Sequence, residues 1–169
     1  MKISKIFAAV AAVALFAGLA FAAPMGGGEV WSVTEHVKQF GETTTKFGSE
    51  KVLGNITVGA NVKGRYKGTP IKGTIGDTAT GYIQISNGNS GSIKFTVKAG
   101  TSKITVCAKL IDGKGMEIKD GKNTLKTFKS VCKSDYEDIV FEHSFASDTE
   151  ITISATDGTN FNLKAIKVE

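Results

Sequence analysis

The sequence predicts an all-β fold, a single antiparallel β-sandwich, and three observations carry that prediction. Apolar and polar residues alternate with a period of two through much of the chain after Lys51. Glycine-rich turn sequences interrupt the alternation at short, regular spacing and leave about ten strand-length segments. No long segment carries a convincing helical period, and the chain has only 2 prolines.

The clearest segment runs from Gly91 to Leu110. Ile93, Phe95 and Val97 alternate with Lys94, Thr96 and Lys98, and Ile104, Val106, Ala108 and Leu110 alternate with Lys103, Thr105, Cys107 and Lys109. Ala99-Gly100-Thr101-Ser102 between them is turn chemistry, so a β-hairpin with one dry and one wet face is expected here.

Around this segment the other elements follow in order. Val30 to Val33 begins the folded part, with Trp31 as a core anchor, and Glu35 to Ser49 reads as a loop with a weakly patterned helix at Thr34 to Phe40. Short strands are expected over Val52–Val58, Ala60–Tyr66, Thr69–Ile75 and Thr80–Ser86, before the turn cluster at Asn87 to Gly91. Gly115–Lys119, Thr124–Lys129, Tyr136–Phe145, Thr149–Ala155 and Phe161–Val168 complete the set. In the last strand Phe161, Leu163 and Ala165 hold one phase while Ile166 and Val168 hold the other, which predicts a β-bulge near Ala165-Ile166.

The N-terminus reads as an export signal over residues 1–22. Lys2 and Lys5 precede the apolar run Ile6 to Phe21, and Ala20-Phe21-Ala22 offers small residues for cleavage. Residues 23–29 read as a flexible arm and residues 30–169 as the sandwich domain. The expected location is therefore periplasmic, secreted or cell-surface. Removing the signal lowers the formal charge from +5 to +3, with the lysines spread along strands and Arg65 the only arginine. Nucleic acid is not an expected partner on that distribution.

Cys107 and Cys132 lie in a chain marked for export, where oxidation is permitted. A disulfide between them is the first expectation, stabilising by roughly 3 kcal/mol, with two thiols as the competing reading. His36 and His143 are too far from each other and from the cysteines for a metal-ligand spacing. His143 alternates with Ile139, Phe141 and Phe145 and is expected to be a partly buried structural residue. The fragments DGKG (112–115), DGKN (120–123) and DGTN (157–160) read as turns, with a single structural calcium left open. Asp135, Glu137 and Asp138 read as a solvated strand entrance, and no catalytic machinery is expected.

For binding, the informative residues are aromatic side chains with polar neighbours. Tyr82 shares an expected outer face with Gln84, and Tyr66 stands between Arg65 and Lys67, a trio suited to stacking on a carboxylated sugar.

The segments KVLGNITV (51–58), GYIQIS (81–86), GSIKFTVKAGTSKITVCAK (91–109), DGKNTLKTF (120–128) and EITISATDGTNFNLKAIKVE (150–169) resemble the non-catalytic β-sandwich module attached to secreted pectate lyases and related polysaccharide-degrading enzymes. That module is a galactose-binding-like jelly roll of the carbohydrate-binding-module type. The resemblance implies a jelly roll that binds a polysaccharide, with acidic or galactose-type glycans as the expected class. A structural or surface-assembly subunit, of a filament or sheath, is the alternative, and it would bring self-assembly with it.

Overall fold

The computed structural model describes residues 22–40, 45–71, 75, 79–86, 91–156 and 158–169. The expected signal peptide, the Asn87 to Ser90 turn and Asp157 lie outside the described residues, apart from Ala22. Among those described, no helix is long and apolar enough to cross a membrane.

Among the described residues thirteen strands form two antiparallel sheets packed face to face, as the alternation predicts. Sheet I has the order β11 (Glu137–Glu142), β8 (Lys103–Lys109), β13 (Asn160–Val168), β6 (Ala79–Ser86), β5 (Lys63–Ile71) and β2 (Thr45–Lys46). Its seventh strand, β1 (Val30–Ser32), pairs with the second half of β13. Sheet II has the order β10 (Asn123–Lys129), β9 (Gly115–Asp120), β12 (Thr149–Ala155), β7 (Ser92–Val97), β4 (Ile56–Val58) and β3 (Lys51–Leu53).

The inner faces interdigitate into one core. Ile83, Ile85, Ile104, Val106, Phe161, Leu163 and Ile166 from sheet I meet Ile93, Phe95, Val97, Met116, Ile118, Ile151 and Ile153 from sheet II. Burying each such side chain contributes about 1.5–3 kcal/mol, so this layer dominates the driving force. Trp31 is the anchor expected: 3% exposed, it donates Nε1–H to the Leu53 carbonyl at 2.8 Å and thereby ties β1 to β3 across the sandwich.

Gly91 to Leu110 forms two strands but no hairpin. β7 pairs with β12 and β4 in sheet II, whereas β8 pairs with β11 and β13 in sheet I. Residues 98–102 arch from one sheet to the other, with Gly100 at φ 86° donating to the Phe145 carbonyl. A period of two states which side of a strand is buried; it does not state which strand lies beside it.

Several boundaries shift for local reasons. Val52–Val58 is two strands, because Gly54 at φ 60° turns the chain and pairs Leu53 with Ile56. The end of Ala60–Tyr66 and the start of Thr69–Ile75 fall in the single strand β5 (Lys63–Ile71), and residues 72–74 lie outside the described residues. Val33–Gln39 is a 3₁₀ helix whose N-cap Ser32 accepts the Thr34 N–H at 3.3 Å. The bulge in β13 falls at Lys164, one residue before the expected pair, as the register against β8 slips between Leu163 and Ala165.

The stretch expected as an arm is partly built into the fold. Met25 is fully buried; its N–H donates to the Thr96 carbonyl and its carbonyl accepts the Lys98 N–H. Gly28 N–H and the Glu29 carbonyl bond to Val168 of β13. Met25 joins the apolar core cluster, a role suited to its flexible side chain.

Candidate functional site

The outer face of sheet I gathers most of the predicted ligand residues. Strand register places Arg65 opposite Tyr82, and Gln84 opposite both Lys63 and Asn162. Arg65 Nη1 donates to the Tyr82 hydroxyl at 3.0 Å, and its guanidinium carbon lies 5.9 Å from the Tyr82 ring centroid. Gln84 Nε2 donates to Asn162 Oδ1 at 3.4 Å. The result is a half-exposed floor of one phenol and two carboxamides, with a cation held at its edge.

The segment before β11 supplies two further residues. Tyr136 leans over this face near Tyr82, Asn162 and Cys107; burial, then the neighbouring Tyr82, pushes its phenol well above the usual range. Its hydroxyl is buried and, although Asn162 lies beside it, closes no hydrogen bond. Asp135 accepts an exposed ion pair from Lys109 Nζ at 3.5 Å. Sequence reading missed Asn162, Tyr136 and Lys109. Asn162 and Lys109 are readable by extending the Tyr82–Gln84 phase across β13 and β8, but only once strand order is known. Tyr136 was expected to open the strand Tyr136–Phe145, but β11 begins at Glu137 and Tyr136 stands in the connection before it, so the strand's phase does not set its burial.

Two predicted residues fall elsewhere. Tyr66 pairs with Gly81, on the phase of Ile83, and so faces away from Arg65 and Tyr82. Consecutive residues of a strand cannot share a face, which divides the expected trio. Lys67 belongs to β5, and its side chain lies outside the described residues.

The expected disulfide is absent: both cysteines are thiols. Cys107 pairs with Asp138 and Ala165 on the outer phase of β8, and it is fully buried there rather than wet. Cys132 lies beside the C-terminal end of β8, where its Sγ accepts the Leu110 N–H at 3.2 Å and donates to the Ala108 carbonyl at 3.3 Å. It packs into the core, and burial pushes its thiol up. The two side chains occupy different sides of the same strand.

His143 also departs from expectation. β11 ends at Glu142, so the alternation stops and His143 is exposed, stacked on Phe141 at 5.7 Å and edge-on to Phe145 at 4.7 Å. It borders two open clefts. One of about 710 Å³ is lined by Ser102, Lys103, Glu142, His143, Ser144 and Glu169. Another of about 550 Å³ runs between β10 and β11, over Leu125, Lys126, Phe128, Val140 and Phe141. Lys103 and Lys167 hold the Glu169 carboxylate at 2.9 and 3.0 Å and lower its pKa. Among the described residues no group of three or more His, Cys, Asp or Glu is arranged to hold a metal. Asp112-Gly113 and Gly121 form turns with positive φ.

No known protein family matches the sequence, and no curated protein matches it. Solved structures do match the fold. A family 6 carbohydrate-binding module is similar at 10% identity and a TM-score of 0.46, over 85% of this chain and 95% of that one. A Stig cyclase, Fisc from Fischerella sp. TAU, is similar at 11% identity and a TM-score of 0.46, over 83% and 98%. An insecticidal crystal protein, Cry2Aa, is similar at 14% identity and a TM-score of 0.38 over 51% of this chain, which spans 16% of that protein's length.

Proposed function

We propose that the protein is an exported, non-catalytic carbohydrate-binding sandwich that holds a glycan on the outer face of sheet I. The single observation that carries this reading is the Arg65–Tyr82 pair, with the guanidinium fixed at 3.0 Å from the phenol and 5.9 Å from its ring. Tyr82 offers a flat apolar surface to the C–H face of a pyranose, and Gln84 and Asn162 offer donors and acceptors to its hydroxyls. Arg65, free of any carboxylate partner among the described ion pairs, favours a sugar acid. The sequence resemblance to the pectate-lyase-associated module supports the same ligand class, acidic or galactose-type.

The test is titration calorimetry of the signal-free protein with oligogalacturonate and with galacto-oligosaccharides. Arg65→Ala and Tyr82→Ala are each expected to weaken binding about tenfold or more at unchanged melting temperature, while Tyr66→Ala leaves affinity unchanged. Wild-type protein that binds neither glycan class, or binding indifferent to Arg65 and Tyr82, overturns the reading.

A further inference from the structure

The lateral side of the sandwich closed by β10 and β11 carries a second inference. Among the described residues β10 pairs only with β9, and β11 only with β8, so each sheet ends here on an open edge. The edges differ in charge. Lys122, Lys126 and Lys129 stand on or beside β10 and are all exposed, while β11 carries Glu137, Asp138 and Glu142. Between them lies the cleft floored by Leu125, Phe128 and Phe141, with Val140 49% exposed at its lip and Val131 43% exposed nearby. An open edge beside exposed apolar side chains is a template for another strand.

We propose that this side is a docking surface for a second copy of the chain, forming a twofold dimer in which β10 of each copy pairs with β11 of the other. Charge selects that pairing. β10 on β10 sets lysines against lysines, and β11 on β11 sets carboxylates against carboxylates; only β10 on β11 brings opposite charges together. Topology permits it. β10 is antiparallel to β9 and β11 is antiparallel to β8. β8 hands the chain to β9 across residues 110–114, so β10 and β11 run in opposite directions. A twofold axis parallel to the strands then places β10 antiparallel to the partner's β11 on both sheets at once, and the arrangement closes at two copies. Sheet II of each copy continues into sheet I of the other, and the two apolar clefts face one another. The glycan face on Arg65 and Tyr82, toward the opposite end of sheet I, stays open, so the dimer would present it twice.

The experiment uses two charge-reversed variants of the signal-free protein, Lys126→Glu/Lys129→Glu and Glu137→Lys/Glu142→Lys, with circular dichroism to establish that each is folded. Sedimentation equilibrium of wild type in low salt is expected to give a dimer whose dissociation constant rises with salt. Each variant alone is expected to weaken that dimer by roughly tenfold or more, since every altered contact occurs twice. Mixing the two variants in equal amounts restores a heterodimer, because the reversed edge of one then meets the unreversed or reversed edge of the other with opposite sign. A wild-type monomer at all concentrations, a dimer indifferent to both variants, or variants that stay monomeric when mixed overturns the proposal. Masses growing past the dimer overturn the twofold. Variants that fail to fold are replaced by Val140→Lys, which must also abolish a dimer built on this edge.

Discussion

The two outer faces of the sandwich are built from the same alternation and end up in opposite environments. On sheet II, Thr57, Lys94, Thr152 and Lys119 line up across four strands, and all remain partly exposed. On sheet I, the equivalent row runs from half-buried Asp138 into cover: Cys107 and Ala165 are fully buried, and so are Thr105 and Lys164 nearby, to within 6%. The difference lies in the connections. Residues 130–136 pass beside the C-terminal end of β8 and bring Tyr136 over sheet I, near Tyr82 and Cys107. A period of two therefore identifies an outward phase, and the loops decide whether outward means wet. The face given a partial lid is also the one that arranges Arg65, Tyr82, Gln84 and Asn162.

The largest test of that contrast inserts a charge into each row. Cys107→Lys forces a longer, charged side chain into a fully buried position, and is expected to cost on the order of 3–5 kcal/mol, enough to unfold a marginal domain. Thr152→Glu, set between Lys94 and Lys119 in the centre of sheet II, is expected to change stability by less than about 1 kcal/mol. Urea unfolding of both variants reads the difference. Equal effects would show the two faces to be equally wet and remove the comparison.

Removing the lid is the intermediate perturbation. Tyr136→Ala is expected to destabilise by about 2–3 kcal/mol, below the range for a fully buried aromatic because the side chain keeps some exposure. It also uncovers Cys107, so the native variant is expected to react with a thiol reagent at one cysteine at least tenfold faster than wild type. Wild type unfolded without reductant titrates two thiols; one disulfide found instead would return the discarded pairing of Cys107 with Cys132.

How much of this was legible in the sequence follows the same division. Ile93, Phe95 and Val97, or Ile151 and Ile153, announce their buried face because each residue's environment is set by its own phase. The phase slip in β13 likewise revealed a bulge, found at Lys164. Partner choice was not legible: residues 98–102 look like a hairpin turn, yet they cross between sheets, since turn chemistry does not record where the next strand docks. The site was half legible for that reason. Tyr82 and Gln84 share a face by alternation alone, whereas Arg65 joins them only through the pairing of β5 with β6, and Tyr66 was grouped with Arg65 by adjacency, which in a strand guarantees separation. Tyr136 and Met25 act from irregular segments, and their burial depends on what they happen to meet.

The smallest effect belongs to a group inside the sandwich end rather than on either face. His36, on the 3₁₀ helix, stacks on Trp31 at 5.7 Å, and its Nε2 is buried without a partner. Burial disfavours the imidazolium and lowers the pKa below the ordinary 6.5, and the neighbouring Glu35 offsets part of that shift. The unfolded chain therefore takes up a proton as pH falls through 6.5, while the folded chain resists until a lower pH. Stability is then level above neutrality and declines as pH drops from about 7 towards about 5.5, before the carboxylates titrate. His36→Phe keeps an aromatic partner for Trp31 and removes the titration, so its unfolding free energy is expected to be flat across that window. Sheet II outer-face substitutions such as Thr152→Glu leave the wild-type slope in place. A slope that survives His36→Phe would assign the acid sensitivity to another group and leave the buried Nε2 without consequence.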